Sequence, residues 1–100
     1  MTLDDYQAAA ERTVNPGLSE HDRLLDAVAG LAEEAGEILG LVRKQAFQSR
    51  AFDRERLREE LGDALWCLAM AAGSVGLTLE DVAAGNIAKL RARHPDGLRS

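Results

Sequence analysis

Residues 24–42 read Leu-Leu-Asp-Ala-Val-Ala-Gly-Leu-Ala-Glu-Glu-Ala-Gly-Glu-Ile-Leu-Gly-Leu-Val, and this stretch decides the fold. Leu24, Val28, Leu31, Ala35, Ile38 and Val42 recur at spacings of four and three, the period of a helix with one apolar face, so these six are expected to face a core. The helix should begin near Ser19 to Asp22 and run to about Phe47. Beyond it, the polar run Gln48 to Asp53 reads as a connection. Asp53 caps a second long helix, which is expected to turn Leu57, Leu61, Ala64, Leu65, Leu68 and Ala72 inward. Gly73 to Gly76 loosens the end of that helix.

Shorter helices flank this pair. The first starts after Thr2, whose hydroxyl can cap it with Asp4 and Asp5 in the first turn, and stops before Asn15-Pro16-Gly17, a length of about 11 residues. The last starts at Thr78 in the pattern Thr-Leu-Glu-Asp, close to a capping box, and ends near Arg93 ahead of Pro95. No strand pattern competes. The expectation is therefore an all-α fold, a single domain over residues 1–100, built as a four-helix bundle whose two long central helices pair antiparallel.

Composition narrows the partners. The 100 residues carry 17 Asp and Glu against 12 Lys and Arg, a net charge of −5, with 4% aromatic residues. That balance disfavours a nucleic-acid polymer or an anionic membrane as partner. A chain of this size buries a modest share of its surface alone, which points to a homodimer or homotetramer. The single cysteine, Cys67, cannot form an intramolecular disulfide, and no basic-then-apolar leader or membrane-length apolar run is present, so a cytoplasmic location is expected.

Acidic residues interrupt both central helices. Leu31-Ala-Glu-Glu-Ala-Gly-Glu37 places Glu33, Glu34 and Glu37 within a wedge of about 100°, and Glu59-Glu-Leu-Gly-Asp63 places Glu60 and Asp63 about 60° apart. In an antiparallel hairpin the two motifs come level, so four carboxylates are expected to converge. Such a cluster repels itself unless a cation sits within it. All-oxygen ligands select a hard ion, and Mg²⁺ fits, with Mn²⁺ as the substitute. The alternative is that these acids are solvated helix faces. A di-iron centre needs Glu-x-x-His, whereas His21 follows Leu18 by three and His94 follows Arg91 by three, which excludes it.

With these residues assembled, the chain resembles the MazG-like members of the all-α nucleoside triphosphate pyrophosphohydrolase superfamily. The motif Glu-Glu-x-x-Glu followed by Glu-x-x-Asp is met by Glu33, Glu34, Glu37, Glu60 and Asp63. The likeness extends through Glu60-Leu-Gly-Asp-Ala-Leu-Trp66, Leu79-Glu-Asp-Val-Ala and Asn86-Ile-Ala-Lys-Leu-Arg-Ala-Arg-His-Pro-Asp-Gly97. The resemblance implies hydrolysis of a nucleoside triphosphate, a deoxynucleotide above all, between the α- and β-phosphates in nucleotide-pool cleaning or control. By that analogy Glu34, Glu37, Glu60 and Asp63 hold Mg²⁺, and Glu33 positions or deprotonates the attacking water. The family also implies that subunits complete one another's nucleotide pockets.

On the last helix Val82, Asn86, Lys89 and Arg93 share a face. In the family this stripe helps hold substrate, so Asn86, Lys89 and Arg93 are assigned to phosphate, sugar or base; complementing the helix dipole is the other role open to the two cations. Lys44, two turns beyond Glu37, is a further phosphate contact or a solvated lysine. Many relatives carry an aromatic residue four positions after the last acidic ligand, where Cys67 stands, and a thiol offers no π-face for a base. Trp66 is expected in the core or a subunit interface, and Tyr6, Phe47 and Phe52 are stacking groups or structural. Two other readings stand beside the first: a phosphoribosyl-nucleotide pyrophosphohydrolase of histidine biosynthesis, and a non-enzymatic helical dimerisation module. Without the five motif acids, twelve acids balance twelve bases, so the motif carries as many acids as the net charge, although any other five acids would balance equally well.

Overall fold

The computed structural model describes residues 1–48 and 50–97. Ser49 of the expected connection and residues 98–100 of the expected domain lie outside them. Four helices follow in order: α1 (Leu3–Glu11), α2 (Glu20–Phe47), α3 (Arg54–Ser74) and α4 (Leu79–Arg93). The fold is all-α, as the periodicity predicts. Each helix begins where a short polar side chain reaches its own backbone: Thr2, Ser19, Asp53 and Thr78 accept from the amides of Asp5, Asp22, Arg56 and Asp81. Thr2 and Thr78 form full capping boxes with Asp5 and Asp81. α1 is shorter than expected, because the Arg12 amide tightens onto the Ala9 carbonyl and closes the helix.

α2 and α3 form the central antiparallel hairpin, and α1 packs on α3. α4 leaves α3 at 100° and touches α1 and α3 but not α2 among the described residues. Gln7 fixes that corner. Its Nε2 donates to the carbonyls of Ala69 (3.2 Å) and Leu77 (3.1 Å), and its Oε1 accepts from the Leu79 amide at 2.8 Å. The side chain is buried, and these three bonds satisfy both ends of its amide. They also satisfy the first amide of α4, which no residue of that helix can reach. Ala10, Ala27, Ala69, Met70 and Leu79 form the core, with Tyr6, Leu65 and Trp66 against it.

The inward face of α2 differs from the expected one. Val28 and Val42 are 45% and 44% exposed, whereas Ala27 is buried and Leu24, Leu31, Glu34, Ile38 and Leu41 are partly so. The expected stripe mixed two parallel ones. Positions 24, 27, 31, 34, 38 and 41 pack on α3, and 25, 28, 32, 35, 39 and 42 form a second apolar stripe that the chain leaves exposed. α3 shows the same rotation: Leu57, Glu60, Ala64 and Cys67 face α2, while Leu61 and Leu68 are 52% and 46% exposed. Because apolar residues flank the seam on both sides, their period alone does not fix its phase. The consequence is functional, since one acid from each helix lies on the seam itself.

Candidate functional site

Glu34 of α2 and Glu60 of α3 occupy seam positions that leucine or alanine fills elsewhere, and Glu37 lies one turn from Glu34. The structure brings these three together: one oxygen from each lies within 4.8 Å of the others. Asp63 stands one turn beyond Glu60 and, with Glu33, lines a cavity of about 450 Å³ that Glu34 also borders. The fourfold convergence expected from the motifs is thus a close triad with Asp63 and Glu33 at its side. Glu60 is buried, and its Oε1 accepts from Arg56 Nε at 2.9 Å. Sequence reasoning passed over Arg56, although the spacing of four from Glu60 is the signal for such a pair.

The triad is electrostatically unfinished. Oε2 of Glu34 and Oε2 of Glu60 are shielded from solvent and have no hydrogen-bond partner. Ionised carboxylates only accept, so facing oxygens repel until a proton or a cation enters. A proton shared with Glu60, then burial, then the charges of Glu37, Glu60 and Asp63, push the Glu34 pKa up to about 7. Glu37 is raised by the same bond to Glu60, by its charge and by burial, against the pull of Arg56. A proton on Glu37 or Glu34 can be offered to Glu60, which together with the Arg56 bond holds Glu60 down at about 2 despite burial. Two orphaned, converging anionic oxygens beside a third carboxylate match the donor set of a hard divalent ion, and the residues therefore fit one.

The walls of the 450 Å³ cavity explain the rest of its chemistry. Gly30 lets the backbone of α2 approach Cys67, since a Cβ there would lie 3.0 Å from the Cys67 Sγ. The thiol is buried, and burial together with the charges of Glu34 and Asp63 pushes its pKa up, so it stays a neutral, unreactive wall. Trp66 lines the same cavity and packs against the core, while its Nε1 donates to Thr13 Oγ1 at 2.7 Å, locking the indole to the end of α1. The expectation of a structural tryptophan holds, and its ring is also a cavity wall. Tyr6 belongs to the core shell, whereas Phe47 and Phe52 are exposed.

Residues 23–98 match the MazG nucleotide pyrophosphohydrolase domain. The chain belongs to this family. Gene 37 protein of Mycobacterium phage L5 is 34% identical over 106 residues, which span 98% of this chain and 93% of that protein. No solved structure matches. Membership makes the protein a pyrophosphohydrolase by type, in a family whose members generally depend on a divalent metal. Glu33, Glu34, Glu37, Glu60 and Asp63, and Asn86, Lys89 and Arg93, fall inside the matched range; α1, with Gln7, precedes it.

The cations expected to hold substrate are dispersed. Asn86, Lys89 and Arg93 are exposed on α4, a helix that does not touch α2, so one chain does not join them to the triad through α2. Lys44 lines a different cavity, with Arg50 and Arg56, at the turn end of the hairpin. No single helix among the described residues is long and apolar enough to cross a membrane.

Proposed function

We propose that the chain hydrolyses deoxynucleoside triphosphates to the monophosphate and pyrophosphate in an Mg²⁺-dependent reaction, with Mn²⁺ as the substitute ion. The observation that carries this reading is the pair of orphaned oxygens on Glu34 and Glu60 within a three-carboxylate cluster, inside the family's matched range. Glu34, Glu37, Glu60 and Asp63 hold the metal. A divalent ion held there would offset the charge that repels a triphosphate and would supply Lewis acidity at the phosphoryl oxygens.

The remaining work falls to the chain. Glu33, exposed at the cavity beside Glu34, takes the proton of the attacking water. The water oxygen bonds to the α-phosphorus, the bond from that phosphorus to the α–β bridging oxygen breaks, and pyrophosphate leaves with the bridging oxygen. Trp66, Gly30 and Cys67 belong to the apolar part of the cavity, the side that takes the nucleoside. Asn86, Lys89 and Arg93 serve the site of a second copy. Supporting that assembly, the stripe of Leu25, Val28, Leu39 and Val42 lies exposed. A Cα radius of gyration of 16.2 Å also exceeds the about 13 Å of a compact domain of this length.

Incubation with a panel of deoxynucleoside triphosphates and Mg²⁺ tests the proposal through released pyrophosphate. The wild type should release it and Glu37→Gln should not. Absence of pyrophosphate from every nucleotide in both proteins refutes the reading.

A further inference from the structure

Two cavities of opposite charge lie along the α2–α3 seam, one on each side of the Glu34, Glu37 and Glu60 triad. Towards the open end of the hairpin is the cavity lined by Glu33, Glu34, Asp63, Trp66 and Cys67. Towards the turn, a cavity of about 300 Å³ is lined by Lys44, Gln45, Arg50, Asp53 and Arg56 among others. The charges of this second cavity are available. Asp53, its one acid, has Oδ1 engaged by the Arg56 amide as the cap of α3 at 3.0 Å. Among the described residues neither Lys44 nor Arg50 has a carboxylate within ion-pair distance. Arg56 gives one of its five N–H groups to Glu60 and keeps a fork of others.

Arg56 is the link between cavity and triad. Its guanidinium touches Glu60 and also walls the cationic cavity, so an anion seated there lies next to the carboxylates without meeting them directly. Lys44 is seven residues, or about 10 Å along the helix axis, beyond Glu37. Its four-carbon stem reaches back over part of that distance. A phosphate chain running from the triad towards the turn therefore passes from an acidic environment into one held by three cations, while the aromatic and apolar walls lie in the opposite direction.

We propose that Lys44, Arg50 and Arg56 form a subsite for the pyrophosphate moiety, which fixes the direction of the substrate: nucleoside towards Trp66 and Cys67, β- and γ-phosphates towards the hairpin turn. The assignment rests on the hydrolytic reading for its substrate, and on the cationic cavity alone for its ligand class. Arg56 supplies bidentate contacts and Lys44 and Arg50 supply charge. After cleavage the same three cations hold the leaving pyrophosphate, so pyrophosphate competes with the triphosphate.

The experiment is calorimetric titration of inorganic pyrophosphate, with Mg²⁺ present, into the full chain and into Lys44→Ala/Arg50→Ala. Lys44→Gln/Arg50→Gln serves as a second variant, and helicity is checked by circular dichroism. Both side chains are exposed, so the fold does not depend on them. The expected result is a loss of pyrophosphate affinity of about 10–100-fold in both variants, with a shallower salt dependence and an unchanged affinity for Mg²⁺ alone. Pyrophosphate binding within twofold of wild type, no binding by the wild type, or an equal loss of Mg²⁺ affinity would each overturn the subsite. If the wild type binds pyrophosphate as expected but hydrolyses no nucleotide, the hydrolytic reading fails and the polyphosphate subsite stands. If it hydrolyses nucleotides and the variants keep wild-type pyrophosphate affinity, the reverse holds.

Discussion

Replacing Gln7 by leucine preserves the volume of a buried side chain and removes the three hydrogen bonds that set the start of α4. The Ala69 carbonyl lies within α3 and retains its helical partner, so its loss is small. Leu77 is exposed, and its carbonyl regains water in part. The Leu79 amide does neither, because it is buried at the first position of α4 and Thr78 is committed to Asp81. An orphaned buried amide costs about 1–3 kcal/mol, and the two weaker bonds add about 1 kcal/mol, for a total of about 3 kcal/mol. At about 4–8 °C per kcal/mol for a domain of this size, Gln7→Leu should lower the melting temperature by about 12–24 °C. Scanning calorimetry at fixed protein concentration measures the shift, and amide hydrogen exchange at Leu79 locates it. The Mg²⁺-induced rise in melting temperature should survive, since the triad lies on α2 and α3, while nucleotide hydrolysis should fall with the displacement of Asn86 and Lys89. A drop under about 3 °C, with Leu79 still protected, would refute the hydrogen-bond reasoning behind these magnitudes.

Four other outcomes follow from the same geometry. A raised carboxyl pKa means that the folded state binds the proton more tightly than the unfolded one, so the Glu34 contribution to stability is full below its ordinary 4.5 and fades as pH rises through about 7. Metal-free protein should accordingly lose melting temperature between pH 5 and 7 and regain it in millimolar Mg²⁺, most strongly at the upper end; curves that coincide with and without the ion would count against the site. Glu60 acts in the opposite sense, its contribution present above 4.5 and lost as pH falls towards about 2, which should appear as acid unfolding. Gly30→Ala should gain the helix-propensity benefit of about 1 kcal/mol only when Cys67→Ala has removed the Sγ at 3.0 Å, and equal effects in both backgrounds, measured by urea unfolding, would dismiss the close approach. Light scattering at micromolar protein should give at least a dimer mass, and a monomer mass would reject the proposed use of the second apolar stripe on α2.

Comparison of particular elements shows why some of this was legible in the sequence. Thr2, Asp53 and Thr78 were readable as caps because capping is chemistry within four residues of chain. The spacing of Glu33, Glu34, Glu37, Glu60 and Asp63 was readable as a shared-face pattern for the same local reason. The phase of the seam was not. Leu24 and Leu25, Ile38 and Leu39, and Leu41 and Val42 offer apolar neighbours on either side of the true line, and only packing against α3 chooses between them. That choice moves Glu34 from beside the packed seam onto it, where it is partly buried.

By itself, then, the sequence determined four helices, their starts, the family and the acids to be weighed, because each depends on neighbours a turn or two away. Only tertiary structure decided that Glu34 and Glu60 meet across the seam, each with an orphaned oxygen, that Arg56 pairs with Glu60, and that Gln7 ties the start of α4 to α1 and α3. Those facts depend on the rotation of one helix against another, and rotation is settled by burial and hydrogen bonds between residues far apart in the chain.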